Sequence, residues 1–221
     1  MTRANDRGMD NTEPQDAISP AAPSAGPRAR RVPPGWVAPG PKGTDRAVPL
    51  GPLEEVSWLL GDWRIVQRRD GHRWSLDDFL TAWVARETLA ARPPRTILDL
   101  GTGIGSVALM LGWCFPDARV TGVEAQALSH ALSLKSVAAN GVEDRFTMLH
   151  GDLRDFPFGG DPTGRWDLVT GTPPYFDDPE QTRSTSVQKG PCRFEERGGA
   201  VDYGRAMART LAADGRAVLC H

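Results

Sequence analysis

Cysteine is scarce in this chain: Cys114, Cys192 and Cys220 are the only three, odd in number and far apart. That pattern excludes a disulfide framework and a paired-cysteine zinc site, and it fits a reducing compartment. Histidine is almost as sparse, and His72, His130, His150 and His221 lack ligand spacing, so no metal is expected. Long apolar runs are missing too. None approaches the ~20 residues that span a bilayer, and no membrane association is expected. The N-terminus has no apolar signal core, while Asp6, Asp10, Glu13 and Asp16 disfavour an acid-poor transit peptide. These absences together predict a cytoplasmic protein. Nor is there an excess of one charge: 26 Lys and Arg stand against 28 Asp and Glu, a net charge of −2. The whole chain therefore carries no electrostatic footprint for nucleic acid, and any basic groove has to be local. Its 221 residues suffice for one α/β core and an appendage.

Proline is abundant, and its distribution is uneven. Residues 1–53 hold ten of the 19 prolines among many Ala, Gly and Ser, a composition too poor in apolar surface to offset chain ordering. A disordered tail over 1–53 is expected, with Arg28, Arg30 and Arg31 as a small basic cluster, more simply solvated than RNA-binding. Residues 54–94 read as a hairpin and helix packed on a core. Trp63, Ile65 and Gln67 alternate with Arg64, Val66 and Arg68, Asp70-Gly71 offers a turn, and His72-Arg73-Trp74 reads as the returning strand. Ser75 is the natural N-cap of a following helix, with Asp77 and Asp78 in its first turn. Leu76, Phe79, Leu80, Trp83 and Val84 mark the face predicted to be buried, and the helix ends before Pro93-Pro94.

The core, residues 95–221, is organised around Ile97-Leu98-Asp99-Leu100-Gly101-Thr102-Gly103-Ile104-Gly105. A short apolar run suits a strand buried on both faces, and the glycines after it let the backbone turn and approach a ligand closely. The helix starting near Ser106 then aims free N–H groups at the same space. The third glycine arrives one residue too early for the Gly-x-Gly-x-x-Gly dinucleotide fingerprint, which argues against NAD. Asp99 suits a ligand with a positive group better than one with phosphates. Residues 119–124 form a second strand ending on Glu124, 19 residues after Gly105, where a carboxylate can accept from both hydroxyls of a ribose. Capping of the next helix is the alternative, compatible role. That helix stops at Asn140-Gly141, a left-handed cap.

Residues 146–150 form a third strand. After it, Asp152 can accept from an adenine amino group and the Leu153 N–H can donate to the ring; His150 is read as structural. Trp166 to Gly171 make a fourth strand, running into Thr172-Pro173-Pro174-Tyr175-Phe176. Two prolines and two aromatics build a rigid wall on which a flat ring can stack at Tyr175. The Thr172 hydroxyl and the Pro173 carbonyl can accept from an exocyclic amine. A plain proline-stiffened loop is the alternative. A helix over 201–213 and a fifth strand over 215–220 follow. The whole reads as an α/β, doubly wound, mostly parallel sheet with five core strands in the order 3-2-1-4-5.

In L-D-L-G-T-G-x-G, the strand-end Glu124, Gly151-Asp152-Leu153 and P-P-Y-F, the chain resembles the amino-methyltransferase branch of class I S-adenosylmethionine-dependent methyltransferases. The segment Q-x-x-D-G-x-x-x-S-L-D at Gln67 to Asp77, V-T-G-V-E-A-Q, and Arg193 with Glu196 resemble bacterial tRNA adenine-N6 methyltransferases that modify an anticodon-loop adenosine of a valine tRNA. The resemblance implies S-adenosylmethionine as cofactor, held by Asp99, Gly101, Thr102, Gly103, Gly105, Glu124, Asp152 and Leu153. It implies RNA, a tRNA, as substrate, with Thr172, Pro173, Pro174 and Tyr175 around the methyl acceptor. Basic residues between Arg183 and Arg209 are candidates for phosphate contacts. Two departures stand out. Thr172 occupies the family's Asn position, and a hydroxyl does not reproduce the paired accept-and-donate geometry of an amide. The family's further helix and antiparallel strand pair do not follow the fifth strand within these residues, so that strand is expected to be an exposed apolar edge that a partner could cover. Two other readings remain open: transfer to a protein glutamine or a small molecule, and a non-catalytic cofactor-binding remnant.

Overall fold

The N-terminal hairpin forms one step earlier than the residue pattern suggests. In the computed structural model, which describes residues 27, 31–44, 46–155, 165–174 and 198–221, β1 (Glu54–Trp58) runs antiparallel to β2 (Arg64–Arg68) with Val56 opposite Val66. The turn between them includes Gly61 at φ 49°, and residues 72–74 are not a strand. The expected alternation along β2 also fails, because Arg64, Ile65, Val66 and Gln67 are all buried. The remaining elements are α1 (Leu76–Thr88), β3 (Thr96–Leu100), α2 (Ser106–Cys114), β4 (Arg119–Glu124), α3 (Ala127–Asn140), β5 (Phe146–His150), β6 (Trp166–Gly171), α4 (Ala200–Thr210) and β7 (Leu211–Leu219).

The second edge of β2 is covered by α3, and this explains the lost alternation. Asn140 Oδ1 accepts from the Arg64 N–H at 2.8 Å and its Nδ2 donates to the Arg64 carbonyl at 2.7 Å, as a neighbouring strand would. Ser136 Oγ accepts from the Val66 N–H at 2.9 Å. The inward face of α3 is accordingly rich in small polar side chains, with Ser129, Ser133, Ser136 and Asn140 all buried. Replacing Asn140 with alanine leaves two buried backbone groups of Arg64 unpaired. Asn140→Ala is expected to destabilise the protein by about 2–4 kcal/mol, read as a lower denaturant midpoint at unchanged m-value.

Five strands form one sheet in the order β5-β4-β3-β6-β7, every neighbouring pair parallel. In order of appearance this is the expected 3-2-1-4-5 arrangement. It follows from the apolar runs: Ile97, Leu98 and Leu100 are completely buried, as are Leu168 and Val169 beside them. The last strand starts earlier than expected, at Leu211, because α4 ends at Thr210. Its pairing with β6 is irregular at first, with Trp166 opposite Leu211 but Leu168 opposite Arg216. Gly141 ends α3 at φ 66°, the left-handed cap that Asn140-Gly141 predicted.

Two further expectations are corrected. The face of α1 predicted to be buried is the outer one: Leu76 is 66% exposed and Trp83 52%, and Phe79, Leu80 and Val84 are exposed as well. The inner face carries Asp78, Thr81, Ala82 and Ala85, whose small or polar side chains let α1 lie close against α2. Trp63 is buried, 6.1 Å from the Phe146 ring. The tail boundary at 53 is also too late. Val48 and Leu50 pack against the core, Thr44 Oγ1 donates to the Ala139 carbonyl, and Arg64 donates to the Thr44 carbonyl.

Candidate functional site

Where β3 ends, the chain turns through Gly101 at φ 61°, a left-handed conformation that a side chain rarely adopts. A Cβ on Gly101 would overlap the Tyr203 hydroxyl and sit 3.0 Å from its Cζ. Gly105, at φ 87°, caps α2. Between them the loop is tied by the Thr102 N–H donating to the Val123 carbonyl at 3.0 Å and the Gly105 N–H to the Thr102 carbonyl at 2.8 Å. Gly101, Thr102 and Gly103 line a cavity at the carboxyl ends of β3, β4 and β6; Gly105 lies beneath it as the cap.

Asp99 lines this cavity at 2% exposure. Its Oδ2 accepts from Thr102 Oγ1 at 2.6 Å and its Oδ1 from Thr170 Oγ1 at 2.7 Å. Burial pushes its carboxyl up to about 6 against the pull of the two hydroxyls, and the nearby charge of Asp78 adds to the rise. Glu124 also lines the cavity. Its Oε2 accepts from the Gly103 N–H at 2.8 Å and its Oε1 from the Gln126 N–H at 2.6 Å, so one carboxylate bridges the glycine loop and the start of α3. Thr172 lines the opposite wall with the buried Pro173 and Pro174.

Leu153 is buried and lines the cavity, whereas Asp152 stands beside it with its carboxylate clasped by Arg154, Nε to Oδ1 at 2.8 Å and Nη2 to Oδ2 at 2.6 Å. Tyr175 and Phe176 fall outside the described residues, as do Arg183, Lys189, Arg193, Glu196 and Arg197. His150 stacks on His130 at 5.3 Å away from the cavity lining, as its structural reading implied.

Sequence reasoning missed one whole wall. His72, Ser75, Asp77 and Asp78, all from the N-terminal appendage, line the cavity. Asp78 is 6% exposed and accepts from the Ser75 N–H at 2.9 Å. Burial raises its carboxyl above the ordinary carboxylate range, against the pull of the Ser75 N–H. The capping pattern at Ser75 to Asp78 was legible, but it points to a helix start and not to a ligand. Tyr203, from α4, closes the roof over Gly101 and Gly171; nothing in its sequence neighbourhood marks it. Among the described lining residues four carboxylates, Asp77, Asp78, Asp99 and Glu124, meet one imidazole and no Lys or Arg. The cavity is thus suited to a cationic ligand and hostile to phosphate. Among the described residues no group of His, Cys, Asp and Glu could hold a metal ion, and no helix is long and apolar enough to cross a membrane.

Residues 97–186 match a family described as a methyltransferase domain. The tRNA1(Val) (adenine(37)-N6)-methyltransferase of Porphyromonas gingivalis is 38% identical over 98 residues, which are 44% of this chain and 38% of that protein. The release factor glutamine methyltransferase of Rhodopirellula baltica is 32% identical over 127 residues, 56% of this chain and 40% of that protein. The chain spans well under half the length of these curated relatives. A solved structure of a SAM-dependent methyltransferase from Agrobacterium tumefaciens shares the fold, with a TM-score of 0.54 at 17% identity over 78% of this chain and 53% of that one. The glycine turn after the first sheet strand, the acid ending the second and the parallel order around them agree with the match of residues 97–186 to a methyltransferase domain.

Proposed function

We propose that this protein is an S-adenosylmethionine-dependent methyltransferase that acts on an exocyclic amine of an RNA base, adenine N6 in a tRNA. The observation that carries the cofactor reading is the acidic, phosphate-averse cavity over a glycine turn in which a Cβ would collide with Tyr203. Asp99 and the Gly101–Gly103 loop would hold the amino-acid and sulfonium end, Glu124 the ribose, and Leu153, with Asp152 adjacent, the adenine. S-Adenosylmethionine supplies a methyl group already activated on a positively charged sulfur, so the protein need only orient the acceptor and exclude water.

Thr172, Pro173 and Pro174 form the wall nearest the acceptor. A neutral aromatic amine is a weak nucleophile because its lone pair is delocalised. Acceptors at the Thr172 hydroxyl and the Pro173 carbonyl would draw its hydrogens out of the ring plane and strengthen as positive charge grows on nitrogen. The buried prolines keep those acceptors from relaxing away. Tyr175 is proposed to stack the base.

The RNA reading rests on the similarity to the tRNA adenine methyltransferase of P. gingivalis. Similarity to the release factor glutamine methyltransferase of R. baltica favours a second reading, transfer to a planar side-chain amide in a protein. Labelled S-adenosylmethionine offered with total RNA and, separately, total protein from Porphyromonas gingivalis separates the two. Label is expected in RNA, in N6-methyladenosine after nuclease digestion; label confined to protein would overturn the RNA reading.

A further inference from the structure

Among the described lining residues, Asp78 is the one buried carboxylate that neither the sheet nor the glycine loop supplies. It reaches the cavity from α1, and Ser106, where α2 begins, lines the same cavity. Asp99 has each of its oxygens engaged by a threonine hydroxyl, and Glu124 has each of its oxygens engaged by a backbone N–H. Those two acids brace the loop as well as line the cavity. The groups facing Asp78 are His72 and Asp77 on its own segment and Asp99 from the sheet, and neither Lys nor Arg is among the described lining residues.

A buried carboxylate in such surroundings is stabilised best by a cation that arrives with the ligand. We propose that Asp78 receives the α-ammonium group of the cofactor's amino-acid tail, which makes the N-terminal hairpin and helix part of the cofactor site and not only a packing appendage. The inference rests on the methyltransferase reading above. Asp77 is the less suited acid, since its carboxyl is partly exposed where that of Asp78 is buried, and water screens it. The competing role of Asp78 is purely local: its carboxylate accepts from the Ser75 N–H and so completes the capping box of α1.

Asp78→Asn separates the two roles, because the amide oxygen still accepts from Ser75 while the charge is gone. Calorimetric binding on the full chain uses three probes: S-adenosylhomocysteine, S-adenosylmethionine, and 5′-methylthioadenosine, which keeps the nucleoside but lacks the ammonium. The variant is expected to lose on the order of tenfold or more in affinity for the first two equally and to bind methylthioadenosine like the wild type. Asp77→Asn is expected to change all three less than about threefold. Unchanged binding of S-adenosylhomocysteine by Asp78→Asn would overturn the assignment. So would an equal loss for methylthioadenosine, which would mean a structural role, or a loss for S-adenosylmethionine alone, which would turn the carboxylate toward the sulfonium. A larger effect of Asp77→Asn would move the ammonium to that residue. Failure of the wild type to bind any of the three would be a failure of the methyltransferase reading itself.

Discussion

Gly101→Ala is expected to abolish measurable cofactor binding, with a loss of on the order of a hundredfold or more in affinity for S-adenosylhomocysteine. Two physical effects coincide at this position. The backbone sits at φ 61°, where an alanine costs about 1–2 kcal/mol relative to glycine. The new methyl group would also overlap the Tyr203 hydroxyl, and Tyr203 is buried between Gly101 and Gly171 with little room to retreat: a Cβ on Gly171 would already lie 2.8 Å from its Cε1. Displacing the ring or the loop narrows the cavity and spoils the line of N–H groups the loop presents. A stability loss of roughly 2–4 kcal/mol should accompany the binding loss. Tyr203→Phe in the same chain removes the first atom the methyl meets, so the double variant should recover part of the stability. Thermal melts of the four proteins of that cycle measure the coupling, and strict additivity would show that Tyr203 does not press on the turn.

Asp99→Asn is expected to weaken S-adenosylmethionine binding about tenfold or more at pH 7.5 without weakening the fold. The carboxyl of Asp99, pushed up to about 6 by burial, is neutral in the folded protein at pH 5 and ionised at pH 7.5. A cationic ligand prefers the ionised form, so wild-type affinity should fall as pH drops through about 6, and the part of that slope due to Asp99 should vanish in the variant. The stability effect has the opposite sign. Because the folded-state value lies above the unfolded one, near 3.8, Asp99 contributes stability that is fully present below pH 4 and lost as pH rises to about 6. Holding it ionised at neutral pH without a ligand costs on the order of 3 kcal/mol. Denaturation across pH 4–7.5 should therefore show the wild type losing stability relative to Asp99→Asn over that window. A parallel pair of curves would mean that burial does not raise the Asp99 carboxyl.

Strands buried on both faces can be read directly, because their side chains are apolar except where a polar one finds a buried partner, as Asp99 does in Thr102 and Thr170. Ile97 to Leu100 and Leu168 to Val169 are examples. Amphipathic helices were harder. In α1 the apolar period pointed to Leu76, Phe79, Leu80, Trp83 and Val84, yet the side that packs is the one with Thr81, Ala82 and Ala85. A helix that must approach its neighbour closely uses small residues at the contact, and hydrophobicity scales give those little weight. In β2 the alternation was misleading for a related reason: side chains of α3 satisfy its free edge, so both faces are covered and Arg64 is buried with Val66. Composition marks the tail but carries nothing about partners distant in sequence, and Val48 and Leu50 find such apolar partners in the core.

For the site, the local chemistry was written in the chain. A turn that admits only glycine after a buried strand, an acid at the end of the next strand and a proline-stiffened wall after the fourth each follow from a few adjacent residues. Their convergence follows from the parallel order of the sheet, because every β-strand then delivers its carboxyl end to the same rim. The fourth side of the cavity and its roof come from helix packing instead. Asp78 and Asp99 are 21 positions apart, and Tyr203 meets Gly101 from more than a hundred residues away. Helix packing sets such contacts, and no local pattern encodes the direction in which a packed helix turns its acids. A sequence period marks which face of a helix is apolar; the depth at which the helix packs decides which of its other side chains reach a ligand.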